Sequence, residues 1–123
     1  MTPFMKHLDH NWREMMADRI YSFMGLAAKA GKLLSGDETC ERALKTGKVY
    51  LVIVSEDASD NTKKKFRDMC SYRDIGYRVF GEKELIGRFT GKSVRSVIAV
   101  KDTNFAGHLI EMIDSRGIEH GGE

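Results

Sequence analysis

Residues Gly25–Ser55 read GLAAKAGKLLSGDETCERALKTGKVYLVIVS, and the alternation of glycine stops with apolar runs in this stretch decides the fold. A helical segment closes at Gly31, which supplies the left-handed backbone that commonly ends a helix. Lys32-Leu33-Leu34 has room only for a brief strand or extended approach. Ser35-Gly36-Asp37-Glu38 matches the capping box, in which a Ser side chain satisfies an amide one turn on and a Glu side chain reaches back. It predicts a second helix running to Thr46, with Cys40, Ala43 and Leu44 inward and Gly47 as its stop. Val49 to Val54 follows as an unbroken run rich in β-branched residues, the pattern of a strand buried on both faces and the natural centre of a sheet. The start of the second helix carries amides without intrahelical partners and the positive end of the macrodipole, an arrangement that attracts phosphate. The surroundings of Gly36 are therefore the expected working surface.

Outward from this stretch the chain alternates helices and short strands. Ile20, Phe23, Met24, Ala27 and Ala30 form one helical stripe, with Asp18 suited to the first turn. Residues 1–17 carry Met5, Leu8, Trp12, Met15 and Met16 at helical spacing and read as a short amphipathic extension whose Trp12 packs on the domain, with a partner-binding arm as the other reading. After the central strand, Asp57, Ser59 and Asp60 are helix-capping types, and KKKFRDMCSYRD places Phe66, Met69, Cys70 and Arg73 at helical spacing. Tyr77 to Phe80 reads as a strand. Gly81-Glu82 opens a short helix with Leu85, Ile86 and Phe89 inward and Gly91 closing it. Val94 to Val100 reads as another strand, and Phe105, Leu109, Met112 and Ile113 line the last helix. Such alternation predicts an α/β/α sandwich of about four strands. Its organisation is an N-terminal extension (1–17), one domain (18–117) and a frayed tail (118–123).

The 123 residues, 41% of them apolar, suffice for one core and not for two. No apolar run nears the roughly 20 residues of a membrane helix, and the N-terminus has no signal-peptide pattern, so the expectation is a cytoplasmic protein with no membrane association. Cys40 and Cys70 lack disulfide-framework or metal-ligand spacing and read as reduced helix thiols. The formal charge of +2 is unevenly spread: residues 18–101 hold 17 Lys/Arg against 11 Asp/Glu, whereas residues 102–123 hold Arg116 against five acids. A basic middle suits a nucleic-acid footprint, and taken alone it suits a solvated surface as well.

Enzyme and nucleotide motifs are missing. GLAAKAGKLL fails as a P-loop because five residues separate Gly25 and Gly31, Leu33 stands where a hydroxyl would hold magnesium, and the preceding segment is helical. No GxGxxG follows a strand. His7, His10, His108 and His120 lie almost wholly in the terminal segments and read as surface residues. Glu56, Asp57 and Asp60 follow the central strand, where open sheets place ligand groups, but helix capping accounts for the same chemistry. No nucleophile, base and orienting group form a catalytic set, and no metal or cofactor is expected. The cations are better organised: Lys32, Arg42, Lys92 and Arg95 flank the turns Gly31–Gly36 and Gly91–Ser93. Lys63-Lys64-Lys65 opens a helix against its dipole, which is anomalous for a purely structural face, although solvated charge runs are common.

The segments GLAAKAGKLLSG, ALKTGKVYLVIVSEDASDNTKKK and GEKELIGRFTGK, in that order and spacing, resemble the kink-turn RNA-binding ribosomal-protein family of the L-seven-Ae and L-thirty-e type, most closely its bacterial YlxQ-type members. The resemblance spans Arg19–Phe105. It implies a three-layer α/β/α sandwich with a four-stranded mixed sheet, no enzymatic activity, and RNA bound by the start of the second helix together with the loop before the last strand. In the family that helix start reads Gly, one residue, Asn, Glu, two residues, Lys, whose side chains address sheared G·A pairs while the backbone takes phosphate. Here Gly36 keeps the glycine and Arg42 stands at the Lys position, while Glu38 stands at the Asn position and Thr39 at the Glu position. Ionised Glu38 only accepts hydrogen bonds, where Asn both donates and accepts.

The residues read as RNA-binding on these grounds are Lys32, Ser35, Gly36, Asp37, Glu38, Thr39, Arg42, Glu56, Lys92, Ser93, Val94 and Arg95. Arg and Lys serve phosphate, Val94 suits packing against a base, and Gly36 admits a backbone closely. The expected partner is ribosomal or other structured RNA in a ribonucleoprotein. The alternative is a protein-interaction module of the same fold that has lost kink-turn recognition, with residues 1–17 contacting a protein partner. The RNA reading requires an open helix start with Lys92 and Arg95 turned toward it.

Overall fold

A computed structural model describes the backbone of residues 2–121 and the side chains of residues 12–116. Helices α1 (Thr2–Lys29), α2 (Asp37–Thr46), α3 (Asp60–Arg73), α4 (Lys83–Phe89) and α5 (Thr103–Gly121) alternate with strands β1 (Leu33–Ser35), β2 (Leu51–Val54), β3 (Gly76–Val79) and β4 (Val97–Val100). The strands form one mixed sheet in the order β1-β4-β2-β3, with β2 parallel to β3 and β4 antiparallel to both β1 and β2. This is the α/β/α sandwich with a four-stranded mixed sheet that the sequence led us to expect.

Strand alternation sorts the core into two layers. Leu51, Ile53, Ile98 and Val100 meet Ile20 and Met24 of α1, Ile86 of α4 and Leu109 of α5. Val52, Val54, Val97 and Ala99 meet Cys40 and Leu44 of α2 and Phe66 and Cys70 of α3. The register sets Leu51 opposite Val100 and Ile53 opposite Ile98 on the first face, and Val52 opposite Ala99 on the second. Every residue of β2 and β4 is buried, which is why both read as continuous apolar runs. Each such aliphatic side chain contributes about 1.5–3 kcal/mol on burial. Cys40 and Cys70 are free core thiols, and burial pushes the Cys40 thiol up to about 12.

Several boundaries differ from the sequence reading. Helix α1 starts at Thr2 rather than Asp18, because no glycine or proline interrupts residues 4–24 and Pro3 sits in the first turn, where its missing amide costs nothing. Trp12 belongs to this helix and is half-buried; Met5 and Leu8 lie outside the residues with described side chains. Strand β4 begins at Val97 rather than Val94, since the preceding backbone bonds to α4 instead of the sheet: Lys92 N–H donates to the Gly87 carbonyl at 2.8 Å and Arg95 N–H to the Lys83 carbonyl at 3.0 Å. Phe89, expected inward, is partly exposed and stacks on Tyr21 with ring centres 5.3 Å apart. The tail expected from 118 begins inside α5, and residues 122 and 123 lie outside the described residues. Among the described residues no helix is long and apolar enough to cross a membrane.

Candidate nucleic-acid interface

Because β4 runs antiparallel to β1 and β2, the end of β1, the end of β2 and the beginning of β4 share one end of the sheet. That end gathers the start of α2, the loop from Gly91 to Ser96, and Ser55-Glu56.

Gly36 is the N-cap of α2 with φ 102 and ψ 148, a backbone conformation that glycine alone adopts readily. Its N–H donates to the Val97 carbonyl at 3.0 Å, and its carbonyl accepts from Cys40 N–H at 2.9 Å. No side chain caps the helix, so the amides of Asp37, Glu38 and Thr39 are left without intrahelical partners. The capping box expected of Ser35 and Glu38 does not form. Glycine rather than Ser35 occupies the N-cap, and the Ser35 hydroxyl is instead taken by Arg95, whose Nε donates to Ser35 Oγ at 3.0 Å. A Cβ placed on Gly36 would meet nothing within 4 Å, so the helix start is open.

Arg95 also donates to Ser93 Oγ at 3.1 Å and to the Val94 carbonyl at 2.9 Å, both from Nη1. One guanidinium thus ties the loop before β4 to the end of β1. Between this loop, β1 and the C-terminal part of α1 lies a cleft of about 460 Å³. Lys29, Arg88 and Lys92 line it together with Gly25, Leu33, Ser35 and Gly91, and none of the three cations has an ion-pair partner among the described residues.

The lysine run has structural partners that offset its opposition to the dipole of α3. Lys63 Nζ donates to the Glu56 carbonyl at 2.7 Å and Lys64 pairs with Asp68 at 2.9 Å. Lys65 reaches across to α2, bonding Asp37 Oδ1 at 2.6 Å and Glu41 Oε1 at 3.1 Å. The hydrogen bond that Lys65 donates to Asp37, then the one it donates to Glu41, pushes the Lys65 ammonium up, and the same Lys65 contact holds the Glu41 carboxyl below its ordinary range. Asp37 is therefore compensated at the start of α2, while Glu38 is exposed and has no ion-pair partner among the described residues.

Of the residues expected at the site, Ser35, Gly36, Asp37, Glu38, Thr39, Lys92, Ser93, Val94 and Arg95 come together at this end of the sheet. Lys32 stands at the other end of β1, and Arg42 lies one turn further along α2. Glu56 shares the end of the sheet but lines a separate cleft with Glu14, Asp18, Glu82 and Arg116, whose excess of carboxylates disfavours phosphate. Of the capping residues expected after β2, Ser59 accepts from Thr62 N–H and caps α3, Asp60 sits in the first turn of that helix, and Asp57 instead accepts from Lys83 N–H and serves α4. Lys29, Arg88 and Gly87 went unnoticed in the sequence. Only Gly87 left a signal, as an isolated glycine inside a short helical pattern. Among the described residues no group of three His, Cys, Asp or Glu side chains could hold a metal ion.

The fold recurs in known proteins. The chain is 37% identical over 94 residues to the RNA-binding protein YlxQ of Bacillus subtilis, covering 76% of this chain and 94% of that one. A solved protein of unknown function from Bacillus halodurans shares 44% identity with a TM-score of 0.75, over 77% of this chain and 96% of that one. The 15.5 kD RNA binding protein of Giardia lamblia shares the fold, with a TM-score of 0.68 at 19% identity, over 84% and 88% of the two chains. Residues 18–110, which hold the whole sheet and segments of the five helices packed around its core, match the Ribosomal protein L7Ae/L30e/S12e/Gadd45 family, and the chain belongs to that family as a non-enzymatic member.

Proposed function

We propose that this protein binds structured RNA, of the kink-turn-like kind found in ribosomal ribonucleoproteins of the cytoplasm, through the start of α2 and the loop before β4. The observation that carries the reading is the Arg95–Ser35 contact beside an uncapped, open Gly36. The amides of Asp37, Glu38 and Thr39 serve a phosphate, and Gly36 lets the RNA backbone approach. Arg95, Lys92, Lys29 and Arg88 supply cations on one side of that amide cluster, and Lys65 cancels the charge of Asp37 on the other. Val94, 49% exposed at the loop tip, offers an apolar surface to an unstacked base. Glu38 and Thr39 replace the side chains that read sheared G·A pairs in similar proteins, so recognition leans on phosphate and shape. The names of two relatives, the RNA-binding protein YlxQ of Bacillus subtilis and that of Enterococcus faecium, support the same ligand class.

The test is fluorescence anisotropy with a kink-turn hairpin and with total ribosomal RNA across a salt series. Binding weakens linearly in log[salt] with a slope of roughly 0.7–0.9 per phosphate contacted. Gly36→Glu abolishes binding, and Lys92→Ala and Arg95→Ala each make the slope shallower by about one. Wild-type protein showing no salt-sensitive binding to either RNA overturns the proposal.

A further inference from the structure

We propose that a single-stranded segment of the bound RNA continues from the start of α2 into a second groove, on the opposite face of β1, where Arg42, Lys48 and Lys101 hold its phosphates. The inference rests on the RNA-binding reading above. Strand alternation turns Leu33 and Ser35 toward the first cleft and Leu34 toward this one, so the edge strand β1 divides two basic clefts. The second, of about 340 Å³, runs between α2 and β1. Thr39, whose amide is one of the three without partners, lines it toward the start of α2, while Lys48 and Lys101 line it beyond the end of that helix. From Thr39 to Thr46 the helix rises about 10 Å, a length that suits a short single strand.

The chemistry of the groove matches a nucleotide. Its floor is apolar, built on Leu34 and Ala43, and the Thr46 hydroxyl is occupied by the Ala43 carbonyl at 2.8 Å. Its rim carries Arg42, Lys48 and Lys101, none with an ion-pair partner among the described residues, and no carboxylate lines it. An apolar floor beneath a cationic rim accommodates an unstacked base above and its phosphates beside it, and a guanidinium plane such as that of Arg42 is itself a stacking surface. Continuity with the amides at the start of α2 favours a polynucleotide over an acidic peptide.

The experiment compares two RNAs that share one kink-turn hairpin, one blunt and one carrying a single-stranded oligouridine tail, with the tail placed in turn on each end. Wild-type protein should bind one tailed RNA roughly tenfold more tightly than the blunt one, with a salt slope steeper by about two. Lys48→Ala/Lys101→Ala should erase that gain and leave the blunt affinity unchanged, and 4-thiouridine in the tail should crosslink within residues 39–48. Equal binding of tailed and blunt RNA by wild-type protein overturns the groove alone. A double variant that weakens both RNAs alike also overturns it, as does a poly-glutamate peptide that displaces the tail as well as oligouridine of equal charge. Binding of neither RNA overturns the reading of the α2 start, and the groove falls with it.

Discussion

The backbone of Ser93 crosses Gly87 so closely that a Cβ on the glycine would lie 1.5 Å from the Ser93 carbonyl oxygen and 3.2 Å from the Val94 Cα. Backbone cannot swing aside as a flexible side chain does, and the hydrogen bonds from Lys92 to Gly87 and from Arg95 to Lys83 pin it there. A glycine inside α4 costs about 1 kcal/mol of helix propensity relative to alanine. What it permits is the seating of the loop that carries Ser93, Val94 and Arg95 beside the start of α2.

Gly87→Ala should therefore unseat the loop and break the Arg95–Ser35 contact, although alanine is the better helix former. The expected result is a lowered melting temperature together with at least tenfold weaker binding of structured RNA, while far-UV circular dichroism stays close to wild type. Gly91, with φ 76 and open space around it, is the control. Gly91→Asn keeps access to the left-handed region and should retain binding. A Gly87→Ala protein that binds as wild type does would mean that the position of this loop is irrelevant to the ligand.

The layered fold was legible because burial on both faces writes itself as unbroken apolar runs, and Val49–Val54 and Val97–Val100 carry that mark. The start of α1 was missed for the opposite reason: residues 4–17 hold apolar groups at helical spacing amid many polar ones, and the true helix has no stop signal near Asp18. The capping box misled because its four letters describe local chemistry only. Arg95, sixty positions away, competes for Ser35, and no local pattern reports such a competitor. The lysine run was anomalous locally for the same reason, as Lys65 answers to Asp37 and Glu41 on another helix. Lys29 and Arg88 look like any surface cation until α1 and α4 are placed on either side of one cleft.

Lys65 bears on the site through Asp37. With Lys65 removed, Asp37 stands uncompensated beside the amides proposed to take phosphate, and its charge repels the ligand. Lys65→Met should weaken RNA binding more than Lys64→Met, whose partner Asp68 lies away from α2, even though both remove one positive charge. Lys65→Met/Asp37→Asn should recover most of the loss. Anisotropy at two salt concentrations checks this, and equal losses from the two lysine variants would reduce Lys65 to a surface charge.

Arg78 grips Asp114 through Nε at 2.8 Å and Nη2 at 2.9 Å, tying β3 to α5. The Arg78 hydrogen bonds hold the Asp114 carboxyl below its ordinary range and push the guanidinium up. A carboxyl whose folded pKa is depressed contributes stability that is complete above its unfolded value, about 3.9 for Asp, and is lost as the pH falls through the folded value. The pair is partly exposed, so its contribution is about 0.5–1 kcal/mol. Urea unfolding should show Asp114→Asn less stable than wild type at neutral pH, with the gap closing as the pH falls below the ordinary Asp range and through the depressed folded value. A gap that persists unchanged in acid would assign the difference to packing rather than to charge.

Glu38 sets binding against stability. In the first turn of α2 its carboxylate complements the helix dipole, worth about 0.3–1 kcal/mol, yet it is exposed, without an ion-pair partner among the described residues, and adjacent to the amides proposed to receive phosphate. A like charge about 4 Å away costs the bound phosphate roughly 1 kcal/mol even at the dielectric of water, or about fivefold in affinity. Glu38→Asn removes that repulsion and adds a donor, so it should bind a kink-turn hairpin several-fold more tightly while melting a few degrees lower. Glu38→Gln separates the two contributions: it relieves the repulsion without placing an Asn amide at the position that reads sheared G·A pairs in similar proteins. If both variants gain alike, charge alone limits this protein's affinity. If only Asn gains, the helix start retains the geometry for reading paired bases and lacks only the side chain. If neither gains, phosphate does not sit at these amides.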